Sequence, residues 1–169
     1  MHSDSPENFF KLAKERFQAK DYLACESALK AILADSPDHT GANELLAYVA
    51  ANTGDMGRFH ELILKVSQQA DCSPKALYYL GSSFLEKGQF EQAILYLDRA
   101  LKKAGDFFEA LHDLATAQAQ IGKTQAALQN YTKALDFRKD SYELHYNIAR
   151  LYDELDQLDS ALAHYKQAV

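Results

Sequence analysis

The apolar and polar residues of this chain alternate with the period of an amphipathic α-helix. Residues 76–101 read ALYYLGSSFLEKGQFEQAILYLDRAL, where apolar side chains recur three, four and seven positions apart, up to Phe84 and again from Phe90. That spacing places them on one face of a helix. Gly88 separates the two stretches, and glycine readily takes the positive φ that ends a helix. The pattern predicts two helices joined by a tight turn.

The same arrangement returns every 34 residues along the sequence. A large aliphatic residue followed by a small one occurs at 12–13, 46–47, 80–81, 114–115 and 148–149. A mostly small set and a mostly apolar set follow at the same step: Cys25, Phe59, Ala93, Ala127 and Ala161, then Leu29, Ile63, Leu97, Tyr131 and Tyr165. A fixed period of this length indicates stacked helical hairpins.

The turns between paired helices fall in one register, which we name the turn positions: Lys20, Gly54, Gly88, Gly122 and Asp156. Lys20 and Asp156 depart from glycine, so we expect some strain or a different turn there. Helix starts are also marked. Ser5-Pro6 and Ser73-Pro74 place a capping hydroxyl before a first-turn proline. Asp106 with Glu109, and Asp140 with Glu143, have the spacing of a capping box.

On these residues the chain resembles the tetratricopeptide repeat family, most clearly at 76–101 and at 110–135, ALHDLATAQAQIGKTQAALQNYTKAL. The resemblance implies an all-α fold, a right-handed superhelical α-solenoid of five helix-turn-helix repeats in one domain spanning 1–169. The repeats are expected at about 6–39, 40–73, 74–107, 108–141 and 142–169. The second departs most, with Phe59 at a small-residue position and Gly57 inside the helix, so we expect wider packing there.

The sequence stops within the second helix of the fifth repeat, because Val169 falls at the position of Leu101 and Leu135. Solenoids usually finish with a polar capping element. We therefore expect a fragment of a longer protein. The alternative is an end covered by self-association, which predicts a homo-oligomer formed through the uncapped last helix.

Composition narrows the function. The net charge of −6 disfavours nucleic-acid binding, and no apolar run approaches the roughly 18 residues of a membrane span, so neither nucleic acid nor membrane insertion is expected. The start has no secretory-signal pattern. Two cysteines, Cys25 and Cys72, are too few for a disulfide framework, and we expect them to be reduced packing residues. A cytoplasmic protein of bacterial type fits these observations.

No motif points to chemistry. The segment NTGDMG lacks the lysine of a phosphate-binding loop, and no two histidines have metal-hydrolase spacing beside an acid. His145 and His164 lie on the two helices of the last repeat, where a ligand pair competes with the reading as ordinary surface histidines. We predict a segment that is not an enzyme, with no catalytic residue, cofactor or metal.

The resemblance implies a concave groove lined by the first helix of each repeat, binding a protein or a peptide. The expected groove-facing residues are, repeat by repeat, Phe10, Lys11, Lys14, Phe17 and Gln18; Glu44, Leu45, Tyr48 and Asn52; Lys75, Tyr78, Tyr79, Ser82 and Glu86; His112, Asp113, Thr116 and Gln120; Tyr146, Asn147, Arg150 and Glu154. Tyr48, Tyr78 and Tyr146 are expected to be exposed. For Phe10, Phe17 and Tyr79, packing against the next repeat is an equal alternative.

Two binding patterns of the family are not reproduced. A clamp for a C-terminal carboxylate would need Lys and Asn where Phe10 and Lys14 stand, and only Lys75 matches it. An asparagine ladder would need Asn at each groove register, and only Asn147 provides one.

Three functions are therefore open. The first is a protein-interaction scaffold that binds a peptide or partner domain in the groove. The second is the substrate-recognition arm of a larger bacterial enzyme of glycosyltransferase or sulfotransferase type, which residues 24–47 resemble. The third is a self-assembly module.

Overall fold

The structure, a computed structural model, describes residues 6–169 and shows ten α-helices in that range. They are α1 (Pro6–Gln18), α2 (Tyr22–Asp35), α3 (Thr40–Asn52), α4 (Met56–Ser67), α5 (Pro74–Glu86), α6 (Phe90–Ala104), α7 (Phe108–Gln120), α8 (Thr124–Phe137), α9 (Tyr142–Glu154) and α10 (Leu158–Gln167). The predicted helix cap at Ser5 lies outside the described residues.

The chain divides into two compact units, an N-terminal unit (Met1–Cys72) and a C-terminal unit (Ser73–Val169). In the N-terminal unit α1 packs on α2 and α3 on α4, and the two hairpins meet through α2 and α3. In the C-terminal unit α5–α6, α7–α8 and α9–α10 form three hairpins that stack through α6 with α7 and α8 with α9. The predicted all-α repeat solenoid is confirmed.

The first helices of the hairpins begin at a constant spacing. Their first residues are Pro6, Thr40, Pro74, Phe108 and Tyr142, each 34 positions after the last. The spacing holds because every hairpin spends the same number of residues on its two helices and its turn. Side chains at equivalent sequence positions therefore occupy equivalent positions in each hairpin.

All five turn positions have the same left-handed backbone conformation. The φ angles of Gly54, Gly88 and Gly122 are 84°, 70° and 72°, and those of Lys20 and Asp156 are 59° and 56°. At each turn the N–H of the next residue donates to the carbonyl five positions earlier, at 2.9 Å. This bond closes a Schellman motif. Lys20 and Asp156 thus make the same turn as glycine, and their cost is backbone strain.

Small residues lie where helices cross, as the period predicts. A Cβ atom added to Gly81 of α5 would lie 2.7 Å from Cγ and 3.1 Å from the backbone N of Leu97 in α6. Ala93 and Ala100, on the same face of α6, are fully buried. In α4 the bulky Phe59 is also buried, and Gly57 is the second residue of that helix rather than an interior one.

The helix starts agree only in part with the prediction. The Ser73 hydroxyl accepts from the Ala76 N–H at 3.1 Å and caps α5, as expected. The two predicted capping boxes are wrong, because α7 and α9 begin one residue later than they require. Phe107 precedes α7 without a side-chain cap, and Ser141 caps α9 by accepting from the Leu144 N–H at 3.4 Å.

Candidate functional site

A polar cleft opens between α7 and α9 in the C-terminal unit, and we name it the α7–α9 cleft. Its volume is about 390 Å³. The lining residues are His112, Thr116, Ala119, Gln120, Tyr131, Glu143, Asn147, Arg150, Leu151 and Glu154. Six of them belong to the groove-facing set expected from the sequence: His112, Thr116, Gln120, Asn147, Arg150 and Glu154.

Helical periodicity explains why these side chains converge. On α7, His112, Thr116 and Gln120 are four residues apart and share one face. On α9, Asn147 and Glu154 are seven residues apart, so they also share a face. The opposite faces of both helices carry the buried residues of the core, which fixes how the polar faces point. The cleft is therefore a consequence of two neighbouring hairpins presenting equivalent faces.

His112 is held between two carboxylates. Its Nδ1 lies 3.4 Å from Oδ1 of Asp113, and its Nε2 lies 3.5 Å from Oε1 of Glu143 on α9. The hydrogen bond to Asp113 raises the pKa of His112, burial opposes that effect, and the charge of Glu143 reinforces it. His112 consequently carries more positive charge near neutral pH than an ordinary histidine, and Glu143 and Asp113 are already engaged by it.

Tyr131 of α8 closes the floor of the cleft. Its ring is only 3% exposed, and its hydroxyl lies 2.8 Å from Oγ1 of Thr116. The Thr116 hydroxyl donates its one proton to the carbonyl of His112 at 2.9 Å, so the Tyr131 hydroxyl is the donor to Thr116. Burial raises the pKa of Tyr131, which keeps the phenol neutral. Sequence reasoning assigned Tyr131 to the core and missed this contact.

Arg150 is the available cation of the cleft. Its side chain is exposed, and no ion pair among residues 6–169 includes it. Asn147, half-buried, lies one helical turn before it. Glu154 by contrast accepts from the Thr124 hydroxyl at 3.3 Å. The donors on α9 thus face the cleft while its carboxylates have partners within the unit.

The other expected groove residues of the C-terminal unit lie outside the cleft lining. Tyr78 is half-buried, with its ring 5.7 Å from that of Phe107, and burial raises its pKa to about 12. Ser82 is also half-buried and hydrogen-bonds to Tyr78. Tyr79 is 38% exposed and Tyr146 51% exposed. Of these three tyrosines, Tyr78 is packed more deeply than expected.

The expected groove residues of the N-terminal unit are mostly engaged in packing. Phe10, Phe17 and Tyr48 pack against the core of α1–α3, which for the two phenylalanines is the packing alternative. The Lys14 ammonium lies 4.2 Å above the Phe10 ring.

Two polar groove residues of the N-terminal unit are also held by their own unit. Glu44 is buried, which differs from an open groove position. The Asn52 side chain accepts from the Tyr22 hydroxyl at 3.2 Å and donates to the Tyr48 carbonyl at 2.8 Å. These contacts leave the C-terminal unit as the place where expected site residues face open space together.

Cys25 and Cys72 are both buried and free, and burial raises the pKa of the Cys25 thiol. No group of three or more His, Cys, Asp or Glu residues that could hold a metal ion occurs between residues 6 and 169. Across the same range, none of the helices has the length and apolar character needed to cross a bilayer.

Comparison with known proteins identifies the repeat. Tetratricopeptide repeat family models match residues 74–107 and 122–169. The regulatory protein RapG of Bacillus subtilis (strain 168) is 26% identical over 142 residues, 76% of this chain and 39% of that protein. A probable UDP-N-acetylglucosamine–peptide N-acetylglucosaminyltransferase SPINDLY of Hordeum vulgare is 30% identical over 112 residues, 62% of this chain and 12% of that protein. The chain thus spans well under half the length of either relative.

Solved structures show the same fold. YrrB, described as a TPR protein with an unusual peptide-binding site, superposes with a TM-score of 0.85 at 16% identity, covering 99% of this chain and 86% of that one. The MamA protein superposes with a TM-score of 0.78 at 20% identity, covering 96% of this chain and 89% of that one. With these folds and the two matched repeats, the chain belongs to the tetratricopeptide repeat family.

Proposed function

We propose that this chain is a protein-interaction module that binds a peptide segment carrying an acidic side chain in the α7–α9 cleft. The observation that carries the proposal is the exposed Arg150, which has no ion-pair partner within residues 6–169 and lies one turn from Asn147. Guanidinium groups pair with carboxylates through two parallel hydrogen bonds. An asparagine amide can both donate to and accept from a peptide backbone.

The surroundings of Arg150 support an acidic ligand rather than a basic one. Glu143 is engaged by His112, and Glu154 accepts a hydrogen bond from Thr124. The raised pKa of His112 adds partial positive charge to the same wall. The likeness in fold to YrrB, a protein with a peptide-binding site, also supports this proposal.

The test is selection from a random peptide library displayed on phage, followed by affinity measurement on the enriched peptides. We expect enrichment of Asp or Glu, and weaker binding when that residue is changed to Asn or Gln. Arg150→Gln should weaken binding about tenfold or more, since a hydrogen bond to a charged group contributes about 1.5–3 kcal/mol. Arg16→Gln, at an exposed arginine of the N-terminal unit, is the matched control.

Two results would contradict the proposal. One is enrichment of peptides without acidic residues. The other is equal affinity of the unchanged protein and Arg150→Gln for an enriched acidic peptide, with circular dichroism showing both folded. Either result would place recognition outside the α7–α9 cleft.

A second candidate is that the chain is the substrate-recognition arm of a larger enzyme. The 30% identity to a probable glycosyltransferase named for a peptide substrate favours it, and the chain spans 12% of that protein. In that case the cleft would hold the substrate peptide, and catalysis would belong to residues beyond this chain. The reading frame of the gene decides between the two: a nucleotide-sugar-binding catalytic domain in the same polypeptide supports the recognition arm.

A further inference from the structure

The last hairpin brings two histidine side chains together away from the α7–α9 cleft lining. His145 of α9 and His164 of α10 approach with their Nδ1 atoms 3.0 Å apart. Their ring centroids are 5.2 Å apart and the ring planes differ by 37°. Both side chains are half-buried, so the space beside the two nitrogens is reached from solvent. We name these residues the histidine pair.

The tautomer of His145 follows from its other nitrogen. Nε2 of His145 lies 3.1 Å from the carbonyl oxygen of Lys139. A carbonyl only accepts, so Nε2 carries the hydrogen and the neutral ring presents an Nδ1 lone pair to His164. Without a metal ion, His164 donates its Nδ1 hydrogen to that lone pair. If His164 changes to its other tautomer through solvent, the ring stays neutral and a second Nδ1 lone pair faces the first.

The separation of the two nitrogens suits adjacent ligand positions on one metal ion. Metal–imidazole bonds are about 2.0–2.1 Å long, so two nitrogens subtending a right angle at the metal lie about 2.9 Å apart. In a tetrahedral arrangement the separation is about 3.3 Å. The observed 3.0 Å lies between these values and closer to the right-angle geometry. Tetragonal nitrogen coordination is typical of Cu²⁺ and Ni²⁺, and imidazole also suits Zn²⁺.

We propose that the histidine pair is a two-ligand site for a divalent transition metal ion of the Ni²⁺, Cu²⁺ and Zn²⁺ class. The bond from Nε2 of His145 to the Lys139 carbonyl is the outer contact that metal-bound histidines usually make, and it aims the ligating nitrogen. No third His, Cys, Asp or Glu of residues 6–169 completes the group. Water or a side chain of a bound partner fills the remaining positions, and the ion is exchangeable.

Metal binding at this pair ties α10 to α9, since each helix supplies one ligand. An ion that binds only the folded state stabilises that state in proportion to the logarithm of its free concentration. The site therefore links the stability of the last hairpin to the supply of a metal ion. This inference is independent of the proposed peptide binding, because the pair lies outside the cleft lining.

The test uses the full chain without a polyhistidine tag, freed of metal with EDTA, and titrated with NiCl₂ by isothermal calorimetry. We expect one Ni²⁺ per chain and a thermal unfolding midpoint that rises with Ni²⁺ concentration. His164→Gln and His145→Asn should each weaken binding at least about tenfold, because even the loss of an outer-shell contact costs that much. His60→Gln, which removes a histidine from α4, should leave binding unchanged.

A measurement that needs no variant accompanies the titration. Paramagnetic Ni²⁺ should broaden the ring resonances of His145 and His164 before those of the other histidines. The proposal is overturned by the absence of saturable Ni²⁺ binding, by equal affinity in the two pair variants and the unchanged protein, or by broadening centred on another histidine.

Discussion

At the scale of single residues, Lys20 and Asp156 hold a backbone conformation that glycine takes at the equivalent turns. A residue with a Cβ atom in the left-handed region is strained by about 1–2 kcal/mol. Both residues nonetheless complete the same Schellman hydrogen bond, from Asp21 to Arg16 and from Gln157 to Tyr152. The helices on either side therefore impose the turn, and the side chain at the turn position adapts to it.

This strain predicts opposite effects for two substitutions. Gly122→Ala should lower the free energy of unfolding by about 1–2 kcal/mol through φ alone, because the added Cβ would meet no atom within 4 Å. Lys20→Gly should raise it by up to about 1 kcal/mol, since relief of strain is offset by the larger backbone entropy of glycine in the unfolded chain. Urea denaturation measures both, and an unchanged stability in Gly122→Ala would contradict the argument.

The turns could be predicted from the sequence, whereas the helix caps could be predicted only where the signal is unambiguous. The 34-residue step placed Lys20 and Asp156 at turns although neither is glycine. Ser73 before Pro74 is a combination with one interpretation. Asp106 and Asp140 had the spacing of capping boxes, but both helices begin after the following residue. A one-residue difference in a helix start is set by packing, which local spacing does not record.

At the scale of helices, the crossing of α5 and α6 depends on the absence of a side chain at Gly81. A Cβ there would lie within 3.1 Å of a backbone atom of α6, which cannot rotate away as a side chain would. Gly57 in α4 offers a contrast, because its nearest new contact would be an aspartate oxygen of Asp55 at 3.7 Å. One glycine is required by a close approach between helices and the other is not.

The pair gives a matched test of helix crossing. Gly81→Ala should lower the free energy of unfolding by about 1–3 kcal/mol, the usual range for overpacking a core. Gly57→Ala should leave it unchanged or raise it by up to about 1 kcal/mol, since alanine favours helix more than glycine does. Chemical denaturation of both variants measures the difference. Equal effects of the two substitutions would show that the α5–α6 contact yields without cost.

The cleft could be predicted from one helix face but not from its neighbours. The groove register placed His112, Thr116 and Arg150 on the correct faces because first helices of adjacent hairpins are equivalent. Tyr131 was missed because it lies on a second helix in an apolar register, and only its hydroxyl reaches Thr116. Glu143 was assigned to a helix cap, but its carboxylate lies beside His112.

The histidine pair shows a different limit of sequence reasoning. The period placed one histidine on each helix of the last hairpin. The distance between their Nδ1 atoms depends on the rotamers of both side chains and on the Lys139 carbonyl, none of which the spacing of residues determines.

At the scale of the whole molecule, the two compact units differ in the number of hairpins they contain. The C-terminal unit has three and the N-terminal unit has two. In repeat proteins, stability is the sum of hairpin terms and of interfaces between neighbours, and about three repeats are needed to form a stable array. The C-terminal unit therefore contains enough interfaces to fold alone, and it carries the whole α7–α9 cleft and the histidine pair.

We expect a fragment of residues 73–169 to be helical and to unfold cooperatively, since it keeps Ser73 as the cap of α5. The fragment of residues 1–72 should be much less helical at the same temperature. Circular dichroism during thermal unfolding compares the two. An unfolded 73–169 fragment, or a more stable 1–72 fragment, would show that the count of hairpins does not govern stability here.

The constant spacing of helix starts has a genetic consequence. From Pro6 to Tyr142 each first helix begins 34 residues after the previous one, and every turn repeats the same backbone geometry. Duplication or loss of 34 codons within this stretch therefore returns the polypeptide to the same structural register, wherever the exchange begins. Recombination can lengthen or shorten the array by whole hairpins without disturbing their neighbours, whereas a change of any other length must be absorbed in a turn.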